Sequence, residues 1–138
     1  MIFSFALQVG AELRAARGDA HEALALLRES LLVYGDDAPA LSILRLTALA
    51  AAAIARLGNP ENAAVLTGAA IGGQLAAMLP FVLGNSPDAF GATVEELTRT
   101  LGTDTYTALA ARGAAMPSDE LARFVRRAVD EALVPFDG

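Results

Sequence analysis

Apolar residues recur along most of this chain at intervals of three and four positions, the spacing that places side chains on one face of an α-helix. The clearest stripe consists of Ala23, Leu24, Leu27, Leu31 and Tyr34. A helix with such a one-sided stripe is expected to pack that face on neighbouring helices. No stretch alternates apolar and polar residues with the two-residue period of a half-buried strand. The pattern therefore predicts an all-α fold of about seven helices.

The same combination of helix-ending and helix-starting residues occurs twice, at Gly18-Asp19 and at Gly58-Asn59-Pro60. Glycine tolerates the left-handed backbone that often follows the last helical residue. Asp and Asn can cap the next helix, and proline suits its first turn. The repetition predicts two helical hairpins over about residues 3–78, with Gly18 and Gly58 in equivalent positions. The third helix of this series covers about residues 38–57.

The fourth predicted helix runs from Pro60 to about Met78, because Pro80 cannot continue a helix. The following loop, residues 79–86, has an apolar centre made of Phe81, Val82 and Leu83. Such a loop has to be covered, either by the chain itself or by a partner.

The C-terminal helices, predicted over about residues 87–134, have clear boundary signals. In chain order these are Ser86-Pro87-Asp88, Gly102, Thr103 or Asp104, Gly113 and Ser118. Proline and an acidic residue favour the first turn of a helix, serine can cap it, and glycine often follows its last residue. The signals predict three helices, with Gly102 and Gly113 ending the first two.

The last of these helices combines an apolar face with a charged face. Its predicted inward residues are Leu121, Phe124 or Val125, Ala128 and Leu133. Ion pairs at four-residue spacing are predicted for Asp119–Arg123, Arg126–Asp130 and Arg127–Glu131, and for Glu95–Arg99 on an earlier helix. Each such pair contributes only about 0.3–0.5 kcal/mol.

Composition narrows the classes of function. Apolar residues make up 54% of the 138 residues and charged residues 19%, which is not the composition of a disordered chain. The formal net charge is −6 and the longest basic run is Arg126-Arg127, so we expect no direct nucleic-acid contact by this segment. Cysteine is absent, which removes disulfides, thiolate nucleophiles and cysteine-ligated zinc, and fits the cytoplasmic location that we predict.

Two stretches share features with membrane-associated segments. The N-terminal Met1-Ile2-Phe3-Ser4-Phe5 lacks the basic residues and the cleavage site of a signal peptide, and we assign it to the first helix. Residues 62–87 carry no charge, are long enough to span a bilayer, and contain Gly68 and Gly72 at GxxxG spacing. Glycines, a glutamine and a proline interrupt this stretch, and no cluster of positive charge flanks it, so we predict no membrane span.

The sequence offers no constellation of catalytic, cofactor-binding or metal-ligating residues, and we predict no such site and no cofactor. His21 is the single histidine, too few for a metal site. The carboxylates of Asp36-Asp37 and of Glu95-Glu96 are sequence neighbours, which on a helix point about 100° apart. The glycines of residues 68–73 follow no strand and precede no Lys-Ser or Lys-Thr pair, so we interpret them as packing glycines. The chain is therefore predicted not to be an enzyme.

The order of several short segments carries a family resemblance. Gly18-Asp19, followed by Ala23-Leu24 and by Leu27 to Leu31, resembles the core of a TPR hairpin, and Asn59-Pro60 departs from it in the second copy. The wider succession consists of Arg56-Leu57-Gly58, Ala63 to Ala70, Leu101-Gly102, Tyr106 and Ala111-Arg112-Gly113. It resembles the C-terminal TPR-like helical region of large actinobacterial NTPase-containing regulators of the LuxR-type or cyclase-linked kind. The resemblance implies an α–α superhelix forming one domain over residues 1–138, cut from a larger protein whose catalytic motifs lie elsewhere.

The expected function is that of a non-catalytic interaction and regulatory module in bacterial signalling or transcription. Stacked hairpins form a curved surface that can bind a protein partner or the rest of the parent chain. The alternative is a structural cap or dimerisation element, with a homodimer formed through the first helix or the loop 79–86. A small membrane protein built on residues 62–87 and an enzyme with an unrecognised site are further alternatives.

Overall fold

A computed structural model describes residues 20–34, 40–73, 76–80 and 87–133. Within those ranges the chain forms six α-helices, a short 3-10 helix and no strand. The elements are α1 (Ala20–Tyr34), α2 (Ala40–Arg56), α3 (Pro60–Gly72), the 3-10 helix (Ala76–Met78), α4 (Pro87–Leu101), α5 (Thr103–Ala114) and α6 (Ser118–Leu133). The predicted all-α fold is confirmed. The predicted first helix, the Gly18-Asp19 turn and the apolar residues 81–83 lie outside the described residues.

Helix α3 lies at the centre of the fold. Every residue from Ala63 to Ala70 is buried. A helix that is apolar on all sides has to be surrounded by protein, and α3 packs mainly against α5 and α2, with α4 as a further neighbour. Its alanines and its buried glycine allow the neighbouring helices to approach closely. The composition of α3 therefore accounts for its central position.

Helices α2 and α3 form the hairpin that the Gly58-Asn59-Pro60 motif predicts. Gly58 has a φ of +91°, in the left-handed region that glycine adopts without strain. The backbone N–H of Asn62 donates a hydrogen bond to the side-chain oxygen of Asn59 over 3.3 Å, and Pro60 occupies the first helical turn. The helix-ending, capping and first-turn roles predicted for these three residues are confirmed.

Replacing Gly58 with alanine is expected to destabilise the chain by about 1 kcal/mol. A Cβ at this position would meet nothing within 4 Å, so the cost comes from the positive φ alone. The matched control is Gly91→Ala in α4, where a Cβ also meets nothing and the φ is not positive. Alanine is the better helix former there, and should stabilise by up to about 1 kcal/mol. Urea unfolding measures both changes; equal midpoints for the two variants would contradict the assigned helix end.

A second left-handed glycine joins α4 to α5. Gly102 has a φ of +87°, and its N–H donates a hydrogen bond to the carbonyl oxygen of Thr98 over 2.9 Å. Helix α4 starts at Pro87 and α5 starts at Thr103, as predicted. The turn is therefore encoded locally, because a residue with a side chain would be strained at the position of Gly102.

Helix α3 ends earlier than predicted. It stops at Gly72, and Gly73 is extended, with φ −84° and ψ −172°. Its N–H still donates to the carbonyl oxygen of Ala69, over 3.0 Å. Each glycine lowers helix stability by about 1 kcal/mol relative to alanine, so two in succession favour a break. The prediction of one continuous helix to Met78 was wrong, since a separate 3-10 helix occupies Ala76–Met78. Leu79 and Pro80, which were predicted to lie in the following loop, are helical.

Gly113 does not end its helix, contrary to the prediction. Helix α5 continues to Ala114, with Gly113 buried inside it. Among the described glycines, only Gly58 and Gly102 have a positive φ. A Cβ on Gly113 would collide with the backbone oxygen of Val65 in α3. The glycine is therefore required by the close approach of two helices, and its backbone conformation is ordinary.

The crossing of α3 and α5 depends on glycine in both helices. A Cβ on Gly68 would collide with the backbone of Ala110. Beside this contact the hydroxyl oxygens of Thr67 and Tyr106 lie 3.0 Å apart. Thr67 donates its own hydroxyl proton to the carbonyl oxygen of Ala64, so the Tyr106 hydroxyl is the donor to Thr67. The interpretation of Gly68 as a packing glycine is confirmed.

Helix α6 has the amphipathic pattern that the sequence predicts. Its buried residues are Leu121, Phe124, Val125, Ala128 and Val129. The sequence left the choice between Phe124 and Val125 open, and both are buried. Val129 was not predicted, and Leu133 is only partly buried against the core.

The contacts of α6 close the helices into a bundle. This helix packs against α1 and α2, which lie far from it in the sequence. Arg28 Nε on α1 lies 3.2 Å from Asp130 Oδ1 on α6. Asn62, in the first turn of α3, donates a side-chain hydrogen bond to Glu131 Oε2 over 3.1 Å. An open stack of hairpins would bring only successive repeats together, so the return of α6 adds a closure that repetition alone does not predict.

The predicted ion pairs within helices are present in part. Asp119–Arg123 is present at 3.8 Å and Arg127–Glu131 at 4.0 Å, whereas Arg126–Asp130 stays a prediction. The prediction of an ion pair between Glu95 and Arg99 was wrong. Arg99 instead contacts the carboxylate of Glu96, at three-residue spacing, over 3.2 Å. All of these side chains are largely exposed, so the choice of partner changes stability little.

The described helices include none that combines the length and the apolar character needed to cross a bilayer. Helix α3, which contains the GxxxG spacing, has 13 residues. Its glycines contact another helix of the same chain.

Candidate functional site

The residues that the sequence offered as candidates for catalysis or metal binding do not lie together in the structure. His21 on α1 and Glu95-Glu96 on α4 are exposed, and Asp36-Asp37 lies outside the described residues. Over the ranges that the structure describes, no three histidine, cysteine or carboxylate side chains are grouped to hold a metal ion. The convergence of functional side chains occurs elsewhere, at the turn between α5 and α6.

A cavity of about 590 Å³ lies at this turn, and we call it the arginine cavity. It is lined by Arg112, Ala115, Met116, Glu120, Arg123, Phe124 and Arg127. Its volume is within the range of ligand-binding clefts. Three of its seven lining residues are arginines, although the chain as a whole is acidic. The cavity is therefore a local site of positive charge.

The connection between α5 and α6 positions both walls of the cavity. The N–H of Met116 donates to the carbonyl oxygen of Gly113 over 3.1 Å, which tightens the end of α5. The N–H of Leu121 donates to the carbonyl oxygen of Pro117 over 2.9 Å, within the first turn of α6. Because Met116 is itself buried, this short turn is anchored to the core. Arg112, in the last turn of α5, is thereby held beside α6.

Phe124 forms the apolar floor of the arginine cavity. The Arg127 guanidinium carbon lies 5.2 Å from the centre of its ring, and that of Arg112 lies 5.9 Å from it. Cations at this distance from an aromatic ring are attracted to it by about 0.5–1 kcal/mol at exposed sites. Phe124 is only 5% exposed, so its ring is held by the core. A fixed ring thus orients two arginines from different helices.

The arginines of the cavity are weakly neutralised by the protein. Within the described residues Arg112 has no carboxylate partner. Arg123 and Arg127 are paired with carboxylates at 3.8 and 4.0 Å, and their side chains are 71% and 63% exposed. Exposed pairs of this kind are worth only about 0–1 kcal/mol. An incoming anion could therefore replace these partners at little cost.

A second depression continues the arginine cavity along α6. It has a volume of about 330 Å³ and is lined by Arg123, Arg126, Arg127, Asp130 and Glu131. Arg123 and Arg127 line both spaces. We call the two spaces together the groove, because they share part of their lining and their lining residues follow α6 from the α5–α6 turn to Glu131.

Sequence reasoning missed this site because its arginines come from two helices. The basic residues of α6 were interpreted as members of a solvated face, and Arg112 was noted only within the family resemblance. One local signal was present: Arg123 and Arg127, at four-residue spacing, flank Phe124 on the same side of a helix. The position of Arg112 beside them depends on the α5–α6 packing. No family model, no curated protein and no solved structure matches this chain.

Proposed function

We propose that this chain is a non-catalytic protein-interaction and regulatory module of a bacterial, cytoplasmic signalling or transcriptional regulator. In this proposal its hairpins are of the TPR type and belong to a larger protein. The binding partner is another protein or the remainder of the parent chain.

The α2–α3 hairpin supports the helical-repeat part of the proposal. It has a left-handed glycine, a capping asparagine and a short turn, the features by which successive helices of a repeat are joined. The packing of α6 against α1 and α2 suits the end of such an array, because a terminal repeat has to cover apolar surface that another repeat would otherwise bury.

The observation that carries the interaction function is the arginine cavity. Arginine and aromatic residues are enriched where proteins bind one another, because they combine large contact area with directional hydrogen bonds. Here Arg112 and Arg127 converge on the buried ring of Phe124 and remain accessible from outside.

Photo-cross-linking tests the interaction function. A photoreactive amino acid at Ala115, an exposed residue of the cavity lining, is expected to form a defined adduct with a partner protein or with the parent chain in cells. The same group at Ala92, exposed on α4 and outside the lining, is the control. Adducts of equal yield from both positions, or none from Ala115, would contradict the proposal.

A structural cap or dimerisation element is the second candidate, and exposed apolar side chains favour it. Leu32 is 68% exposed, Ile71 49% and Met78 39%. Ile71 lies in the last turn of α3 and Met78 ends the 3-10 helix, directly before residues 79–86, which were predicted to contribute to a dimer interface. In the same cross-linking experiment, chain-to-chain adducts from a photoreactive group at Ile71 would favour this candidate. The predicted first helix, which contains Phe3 and Phe5 and was the other candidate for this interface, lies outside the described residues.

A further inference from the structure

We propose that the groove formed by the arginine cavity and the second depression binds a short acidic segment of the partner protein, with its carboxylates on Arg112, Arg123 and Arg127. The inference rests on the proposed interaction function and names the chemistry of the segment that is recognised. Four features of the groove support the proposal. These are its charge, its shape, its apolar floor and the acidic residues at its two ends.

The positive charge of the groove is concentrated in the arginine cavity, whose lining contains three arginines and one carboxylate, that of Glu120. The second depression adds Arg126 and the carboxylates of Asp130 and Glu131. A guanidinium presents its N–H groups in a planar fork that matches a carboxylate, so each arginine can donate two parallel hydrogen bonds. Arg112 has no described carboxylate partner to give up, which makes it the first contact for an incoming carboxylate.

The shape of the groove selects an extended segment over a compact ligand. Its lining residues extend from Arg112, across the turn, to Glu131 near the end of α6. The part along α6, from Glu120 to Glu131, measures about 17 Å, at 1.5 Å per helical residue. An extended peptide of about five or six residues spans this length. Neither space is fully enclosed, so a segment can reach the lining from solvent.

The floor of the groove adds an apolar contact. Met116 and Phe124 line the arginine cavity, and both are almost fully buried against the core. An apolar side chain on the segment, next to its carboxylates, would cover the accessible edge of this floor. Segments that alternate acidic and apolar residues match this arrangement of charge and apolar surface.

The limits of the positive region exclude a long polyanion. Asp119 and Glu120 lie at the start of α6, and Asp130 and Glu131 lie near its end. Nucleic acid crossing the groove would bring phosphates close to these four carboxylates, in a chain with a net charge of −6. A segment with two or three acidic side chains can instead place them on Arg112, Arg123 and Arg127, between these carboxylates. The acidic ends therefore favour a ligand with few, closely spaced negative charges.

Fluorescence anisotropy tests the proposal with a labelled six-residue peptide of alternating glutamate and leucine, titrated with the purified chain at low salt. We expect saturable binding that weakens as salt is added, because the contacts are charged and exposed. The variant Arg112→Gln should raise Kd by about tenfold, the loss of a charge-assisted hydrogen-bonded contact. Arg99→Gln is the matched control: it removes the same charge from an exposed arginine outside the groove, and should leave Kd unchanged.

Two competition measurements distinguish recognition of a carboxylate segment from apolar binding and from binding of any small anion. A peptide with glutamine in place of glutamate should not bind, and inorganic phosphate should not displace the acidic peptide at equal concentration. Binding of the glutamine peptide, equal displacement by phosphate, or equal Kd values for the two arginine variants would overturn the proposal. Circular dichroism verifies that Arg112→Gln keeps its fold, and Arg127→Gln gives a second variant if it does not. Adducts from Ala115 without binding of the acidic peptide would refute the ligand chemistry and leave the interaction function standing.

Discussion

Gly113→Ala is expected to destabilise the chain by about 3 kcal/mol or more, because the added methyl group has no space at the crossing of α3 and α5. Its Cβ would collide with the backbone oxygen of Val65 and would approach the backbone nitrogen of Ala69 to 2.9 Å. Backbone atoms inside a packed helix cannot rotate away as a long side chain can. The two helices have to separate, and overpacking of this kind costs about 1–3 kcal/mol or more.

Urea unfolding followed by circular dichroism measures this effect. Gly91→Ala is the matched control, because both substitutions replace a helical glycine with alanine and only the surroundings differ. Helix propensity alone would make both variants more stable. A stabilised or unchanged Gly113→Ala variant would show that α3 and α5 do not approach as described. Gly68→Ala, whose Cβ would collide with Ala110, should give the same result as Gly113→Ala.

Phe124→Ala is expected to lower the free energy of unfolding by about 3–5 kcal/mol. The ring is 5% exposed and belongs to the main core cluster, so its removal leaves a void between helices. It also removes the ring that two guanidinium groups contact, at 5.2 and 5.9 Å. For a chain of this size the loss is a large fraction of the usual total stability of about 5–15 kcal/mol.

Phe124→Leu separates the two roles of the ring. Leucine keeps much of the apolar volume and should restore most of the stability, but it offers no aromatic face to Arg112 and Arg127. We therefore expect Phe124→Leu to be close to the parent chain in urea unfolding and weaker in binding the acidic peptide. Equal losses of stability in the alanine and leucine variants would contradict the core position of this side chain.

The GxxxG spacing has a different meaning here from the one it would have in a lipid bilayer. In both settings glycines let two helix backbones come close, since no Cβ separates them. In this chain Gly68 is covered by Ala110, a residue of α5 within the same chain. The spacing alone therefore identifies a close contact, and the partner has to be found from the rest of the fold.

The sequence by itself determined the features that depend on neighbouring residues. Gly58 and Gly102 were assigned to helix ends, and each has the positive φ that only glycine adopts readily. Asn59 and Pro60 marked the start of α3, and Pro87 marked the start of α4. The capping and turn hydrogen bonds at these positions join residues at most five positions apart, so their signals do not depend on the rest of the fold.

The features that depend on contacts between different helices became clear only from the tertiary structure. Gly113 carries the same sequence signal as a helix-ending glycine, yet its role comes from the approach of Val65, a residue of another helix. In the sequence nothing distinguishes Arg112 from other arginines. In the structure the α5–α6 turn places its guanidinium over the ring of Phe124. Apolar periodicity predicts which face of a helix is buried, but not which helix covers it, because many arrangements bury similar apolar area. The role of Gly113 and the formation of the arginine cavity therefore depend on which helices pack against each other. The local sequence pattern does not contain that information.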